Sequence, residues 1–160
     1  MKLRLAVTVR NEFGRSTMAQ QGAMTKGIRG TCAWMDGEIK RSMTGPKSGR
    51  ESWRKGKLRR KQAGGVVTYT RGKRRLHHIA SAPGEPPARD TGRLMNSIRW
   101  RLASPVVAFV GSFGVNYAAA LEFGARHRKL AARPYVGPVA KRAEPVLLRL
   151  LARYMAEAAK

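Results

Sequence analysis

The chain has 160 residues, enough for one domain that buries roughly two thirds of its extended surface without disulfides or a structural metal. Its 33 Lys and Arg against 9 Asp and Glu give a net charge of +24, which points to a polyanion or an acidic protein surface as partner and says nothing about fold. A single cysteine, Cys32, excludes a disulfide framework and a cysteine-based zinc site, and reads as a small buried side chain.

At the N-terminus, "MKLRLAVTVR" lacks the continuous apolar run of a secretory signal, because Arg4 and Arg10 interrupt it. Within it, Leu3, Leu5, Val7 and Val9 alternate with more polar neighbours, the period-2 pattern of a strand with one buried face. Ser16 or Thr17 then caps a predicted amphipathic helix from Thr17 to Met43. Its apolar face is Met24, Ile28, Thr31, Met35 and Ile39. Gly22, Gly27, Gly30 and Gly37 fall inside this helix, each costing up to about 1 kcal/mol relative to Ala, so the helix must depend on packing against a neighbour.

Between Lys40 and Arg75 there are fourteen Lys and Arg and one acid, Glu51, so this stretch holds +13 of the total. "ESWRKGKLRRKQAGG" contains few large apolar residues and is predicted to be a long mobile excursion. "VVTYT" and "RRLHHIA", joined at Arg71-Gly72, read as an extended β-hairpin, and the whole basic excursion covers about 44–80. A Pro-rich connector follows at 81–90. Its prolines restrict φ and lower the entropy lost on ordering, which lets a segment with few internal hydrogen bonds hold one shape. Ser81 to Ala88 reads as an extended arm packing between protomers or onto an adjoining ring, with an intramolecular clamp on the sheet as the alternative.

Asp90 or Thr91 is predicted to cap a helical turn over Gly92 to Asn96, after which Ile98, Trp100 and Leu102 alternate with Arg99 and Arg101 as a strand. "VVAFVGS" is apolar on both faces and reads as a central strand. The uncharged run Ala103 to Leu121 has the length of a membrane span, but Pro105, Gly111, Gly114 and Asn116 punctuate it, which favours core. "NYAAALEFG" reads as a short helix ended by Gly124. Pro134 suits the first position of a last helix whose apolar face is Val139, Ala143, Val146 or Leu147, Leu150 and Tyr154, with Pro138 and Pro145 imposing a late start or a kink. The predicted class is α+β: one domain over 1–160, an antiparallel sheet of about four strands plus the hairpin, covered by a long N-terminal and a C-terminal helix.

Catalytic templates fail. The chain has no GxSxG elbow and no HExxH, and "GPKSG" lacks the spacing of a phosphate-binding loop. His77 and His78 are adjacent and would point to opposite faces of a strand, so a metal site that also includes His127 is disfavoured. Glu122 reads as a carboxylate paired with arginine, within the chain (Arg126, Arg128 and Arg133 are close in sequence) or across a subunit contact, rather than as a catalytic acid. No enzyme, cofactor, metal or small-molecule substrate is predicted. In the basic tract Arg54, Lys55, Lys57, Arg59, Arg60, Lys61, Arg71, Lys73, Arg74 and Arg75 are the candidate contacts to DNA or to an acidic protein, with Trp53 and Tyr69 as stacking groups.

"KSGR" at Lys47–Arg50, "TYTRG" ending at Gly72, "HHIASAPGEPPARDTGRLMNSI" at His77–Ile98, "YAAALEFGA" and "AARPYVGP" together resemble the head–tail joining, or tail-completion, proteins of long-tailed bacteriophages. The matching positions are Pro83, Gly84, Glu85, Pro86, Pro87, Asp90, Thr91, Gly92, Leu94, Ser97, Ile98, Tyr117, Ala118, Glu122, Phe123, Gly124, Ala132, Arg133, Pro134 and Tyr135. The resemblance covers about Lys47 to Pro138. It departs from the family in an insertion, "ESWRKGKLRRKQAGGVV", and in "FGARHRK", where the family has Thr after Phe-Gly. The resemblance implies a virion structural protein of the neck or head-proximal tail end, assembled in the host cytoplasm as a six-fold homo-oligomeric ring. It further implies neighbouring neck or tail-tube proteins as partners, contact with packaged DNA, and subunit contacts through motif residues. Charge alone would also suit a ribosome- or chromosome-associated nucleic-acid-binding protein.

Overall fold

The computed structural model describes residues 5–8, 18–55, 58–61, 67–70 and 75–159. Strand β1 (Leu5–Thr8) precedes the long helix α1 (Met18–Thr44), and four ribbon strands follow: β2 (Glu51–Lys55), β3 (Leu58–Lys61), β4 (Val67–Thr70) and β5 (Arg75–Ile79). After the connector come the helical turn α2 (Arg93–Ser97), strands β6 (Ile98–Ser104) and β7 (Val107–Ser112), the short helix α3 (Ala118–Phe123), a 3-10 turn at Arg126–Arg128, and helix α4 (Gly137–Ala158).

The sheet is antiparallel in the order β1-β7-β6, with Leu5 opposite Val110 and Trp100 opposite the same residue from the other side. Strand β7 is central, as its apolar character on both faces requires: Ala108 and Val110 are buried toward the helices, and Gly111 and Ser112 are buried as well. On β6, Ile98 is buried and Trp100 and Leu102 half-buried, while Arg99 and Arg101 are exposed, which is the alternation legible in the sequence. The described sheet has three strands where about four were expected. The remaining strands pair with one another instead of extending it.

That pairing corrects the predicted hairpin. "VVTYT" does not pair with "RRLHHIA"; β4 pairs with β3 and β5 with β2, all antiparallel, so the chain reverses between Lys61 and Val67 rather than at Arg71-Gly72. The partners in both ladders are nearly equidistant from Gly64 and Gly65. "ESWRKGKLRRK", read as an excursion, thus supplies two strands. Lys and Arg leave no apolar alternation to read, and the backbone ladder that joins such strands carries no sequence signature.

Helix α1 lies against β6 and β7 and alongside α4. Ile28, Thr31, Cys32, Met35, Ile39 and Met43 form its buried face; Ala23 is buried where Met24 was expected, and Met24 is only half-buried. The core is completed by Leu94, Ile98, Val110, Val115, Ala118, Tyr135, Val136, Val139 and Ala143. Burial pushes the Cys32 thiol up to about 11, as desolvation of a thiolate demands.

Two of the four helix glycines explain the α1–α4 contact. A methyl group at Gly27 would lie 2.7 Å from Leu151 Cδ2, and one at Gly30 would lie 3.0 Å from Leu150 Cδ1, so these positions let α4 approach closely. Helix α4 starts at Gly137, with Pro138 in its first turn and Pro145 inside it. Pro134, expected at the first helical position, precedes the helix; the late start was the alternative the prolines imposed. The residues Ser16 and Thr17, predicted as the α1 cap, lie outside the described residues, as do Leu3 and Val9. Among the described residues no helix is long and apolar enough to cross a membrane.

Candidate assembly surface around the Pro-rich connector

The connector is bound to the rest of the chain at every few residues. Gly49 N–H donates to Ala80 O at 3.0 Å and Ala80 N–H to Arg50 O at 3.0 Å, which continues the β2–β5 ladder up to the residue before the connector. Gly84 N–H donates to Ala132 O at 2.9 Å, Arg89 N–H to Met43 O at 3.2 Å, and Arg133 Nε–H to Ser81 O at 3.2 Å. Ser81 and Pro87 are buried. The intramolecular clamp, weighed as the alternative to an arm between protomers, is therefore the geometry within this chain. These bonds run to the rest of the chain; within the segment Glu85 N–H donates to Ala82 O at 3.2 Å.

Glu85 is the centre of this clamp. Its carboxylate accepts from Ser48 N–H at 3.1 Å, from the Ser48 hydroxyl, and from Ala82 N–H at 2.9 Å, and these bonds hold it down to about 2. Lys47 stands beside it, donating Nζ–H to Ser42 O at 2.7 Å; burial lowers the lysine's pKa and the Glu85 charge opposes that shift. At Gly49 a methyl group would lie 2.5 Å from Ala80 O and 2.7 Å from the Ser81 carbonyl carbon. The "KSGR" loop is thus the partner of the proline segment, with Ser48 as hydrogen-bond donor and Gly49 as the point of closest backbone approach. Ser48 and Gly49 were not among the candidate site residues. The signal available was the motif itself, thirty-odd residues from the segment it binds.

A second carboxylate organises the other side. Glu122, at the end of α3, is 6 % exposed and accepts from Tyr135 N–H at 2.8 Å, Val136 N–H at 3.1 Å and Gly137 N–H at 2.8 Å. Those are amides at the start of α4, where a helix leaves donors unsatisfied and its dipole favours negative charge. The predicted arginine pairing is corrected: the partner is backbone, brought within reach because Gly124 turns the chain with φ 79° and the strand-like return Ala125–Leu130 sends it back. A methyl group at Gly124 would lie 3.0 Å from Leu130 O and 3.1 Å from Ala132 N, so the turn admits little else. Tyr135 is buried, its phenol pushed up by desolvation first and by the nearby Glu122 charge second.

The α2 cap also differs from expectation. Gly92 itself is the capping residue, at φ 79°, with no side-chain cap bond; Thr91 Oγ1 accepts a long bond of 3.4 Å from Arg93 N–H.

Seven of the predicted contact residues, Pro87, Asp90, Thr91, Gly92, Leu94, Tyr117 and Arg133, line one open cavity of about 410 Å³ between the connector, α2, α3 and the loop before α4. Glu85, Glu122 and Tyr135 hold the loops around it. Pro83 and Gly84 are exposed, Pro86 and Pro134 half-buried, and Phe123 is 68 % exposed. Of the histidines, His78 lines the cavity and His127 is exposed. Among the described residues no group of three or more His, Cys, Asp or Glu is arranged to hold a metal.

The basic candidates are elsewhere. Arg54 and Lys55 are on β2, Arg59, Arg60 and Lys61 on β3, and Arg75 on β5; Lys57, Arg71, Lys73 and Arg74 lie outside the described residues. In register Lys55 stands opposite Arg75, Arg59 opposite Tyr69 and Trp53 opposite His77. No protein-family model matches this chain, and neither does any curated protein or solved structure.

Proposed function

We propose that this chain is a structural protein of the bacteriophage neck or head-proximal tail end. It assembles as a six-fold ring around the DNA channel, joins head to tail, and acts by assembly rather than catalysis. Support comes from the ordered series of motifs between Lys47 and Pro138, whose members are mutually dependent in space. The "KSGR" loop binds Glu85 of the "APGEPP" segment, Arg133 of the "AARPY" segment binds Ser81, and Glu122 of the "LEFG" segment binds the start of α4. Such a series defines one local architecture in this chain, and the reading rests on the resemblance of its motifs to those of the head–tail joining proteins. The ring would stand among neighbouring neck or tail-tube proteins within the virion.

The mass of the purified protein, measured by light scattering at several concentrations in moderate salt with and without duplex DNA, tests this. A DNA-independent hexamer is the expected result; a monomer at every concentration that binds DNA would replace the proposal with the second reading.

That second reading, a nucleic-acid-binding protein, is favoured by the ribbon geometry. A two-stranded antiparallel ribbon fits the major groove of B-form DNA, and β3–β4 form such a ribbon within the stretch that carries +13. It predicts DNA affinity near physiological salt, with a log–log salt slope of about −0.9 per phosphate contacted. Replacing Arg59, Arg60 and Lys61 with Ser would then flatten the slope by up to about three contacts' worth.

A further inference from the structure

The 410 Å³ cavity, lined by seven of the predicted contact residues, combines apolar side chains with arginines. Its lining includes the apolar residues Met43, Leu94, Met95, Leu121 and Leu130, together with Tyr117. Arg89, Arg93 and Arg133 also line it, against one acid, Asp90. Arg133 is held in place by bonds to Ser81 O and, through Nη1, to Ala131 O at 3.3 Å. Both acceptors are neutral carbonyls, so neither bond cancels its charge. Arg89 and Arg93 are exposed. A cavity of this volume, inside the range that seats small ligands and side-chain anchors, takes one or two apolar side chains.

An occupant must satisfy both halves. A bare anion would leave the apolar lining wet, and a bare hydrophobe would sit beside a concentrated positive charge. An apolar anchor flanked by carboxylates removes the apolar lining from water and places charge-assisted bonds on the guanidinium groups, which accept carboxylates in bidentate fashion.

A second copy of this chain is a poor source of such a segment. Among its nine acids, Asp36 is paired with Lys40, Glu38 with Arg41 and Arg142, and Glu157 with Arg153. Glu85 and Glu122 hold backbone amides. A chain at +24 offers little negative charge to another copy of itself.

We propose that this cavity is the docking pocket for an acidic peptide segment, anchored by Phe or Leu, from a different protein. The assignment gives these predicted contact residues to a different protein rather than to another copy, and its failure leaves the light-scattering result untouched.

The test uses the full chain with ¹³C-methyl methionine, because Met43 and Met95 line the pocket while Met18 and Met155 lie far along α1 and α4. The probes are acetyl-Asp-Phe-Glu-Leu-Glu-amide, its Asn/Gln analogue, its analogue with Ser for Phe and Leu, and duplex DNA, in about 0.15 M salt. The acidic apolar peptide should shift Met43 and Met95 and leave Met18 and Met155 in place. Both analogues should bind at least about tenfold more weakly, and so should the protein carrying Arg89→Ala with Arg93→Ala, since charge-assisted bonds are lost. Thr91→Glu, which adds a negative charge to the lining without removing an arginine, should weaken the same peptide. The proposal fails if the Ser analogue binds equally (charge alone), if the Asn/Gln analogue does (apolar contact alone), or if all of these variants bind as the parent does. It also fails if DNA produces the same methyl shifts, which would make the pocket part of a nucleic-acid site.

Discussion

Two carboxylates in this acid-poor chain do similar chemistry in opposite settings. Glu122 is buried and binds three amides at the start of α4; Glu85 is half-exposed and binds Ser48 and Ala82 across the surface of the connector. In water an amide freed from a carboxylate finds another acceptor, whereas in a core it finds none. The difference assigns Glu122 to global stability and Glu85 to local order. It also separates a region that must fold with the core, α3 to α4, from one that can be released while the core stays intact.

The largest effect is expected at Glu122. Glu122→Ala leaves three donors, two of them on buried residues, without their acceptor, and should cost about 3–5 kcal/mol, near the upper end for a single substitution. Urea unfolding followed by circular dichroism measures it. A loss under about 1 kcal/mol would mean that water or a neighbouring group replaces the carboxylate, and the comparison would collapse.

How much of this was legible in the sequence depends on whether the signal was periodic. The apolar step of α1, the alternation on β6 and the two-sided apolar character of β7 are repeats that burial imposes, and all three elements formed where they were expected. The ribbon pairing was not legible, because "RKGKLRRK" carries no apolar face and a ladder is made by backbone. Glu122 was singled out, but its partner was misassigned: arginines nearby in sequence advertise ion pairs, whereas a helix start thirteen residues on offers only amides, which every residue but proline has. Ser48 and Glu85 are 37 residues apart, and only the recurrence of their two motifs in one series connects them.

The comparison sharpens at the glycines. Gly49→Ala places a methyl 2.5 Å from a backbone oxygen, which cannot rotate away, whereas Gly27→Ala meets the end of the flexible Leu151 side chain first. Overpacking of this kind costs about 1–3 kcal/mol; the Gly49 variant should lie at the upper end, and in the Gly27 variant a cost at the lower end is offset by up to about 1 kcal/mol of helix propensity. Their signatures should also differ. Amide hydrogen exchange in Gly49→Ala should quicken at Ala80 and Gly84 while α1 and α4 stay protected; in Gly27→Ala any loosening belongs to the two helices. Equal exchange throughout both variants would show the connector and core to be one cooperative unit.

The smallest effect in free energy is the most direct on mechanism. Glu85 has a folded pKa near 2, below the ordinary glutamate value of about 4.3, so the carboxylate form is favoured in the folded chain. A depressed carboxylate contributes stability that is fully present above the unfolded value and is lost as pH falls through the folded one, so the connector should hold at pH 5 and loosen toward about pH 2. Amide shifts of Ser48 and Ala82, the donors to this group, should titrate together with a midpoint near 2. Glu85→Gln should abolish that titration and speed exchange at both amides, yet leave the urea midpoint close to the parent's. If Glu85→Gln instead lowered the urea midpoint as far as Glu122→Ala, the connector would be structural to the core, and the clamp would have to be regarded as part of the fold rather than as a releasable surface presented to partners.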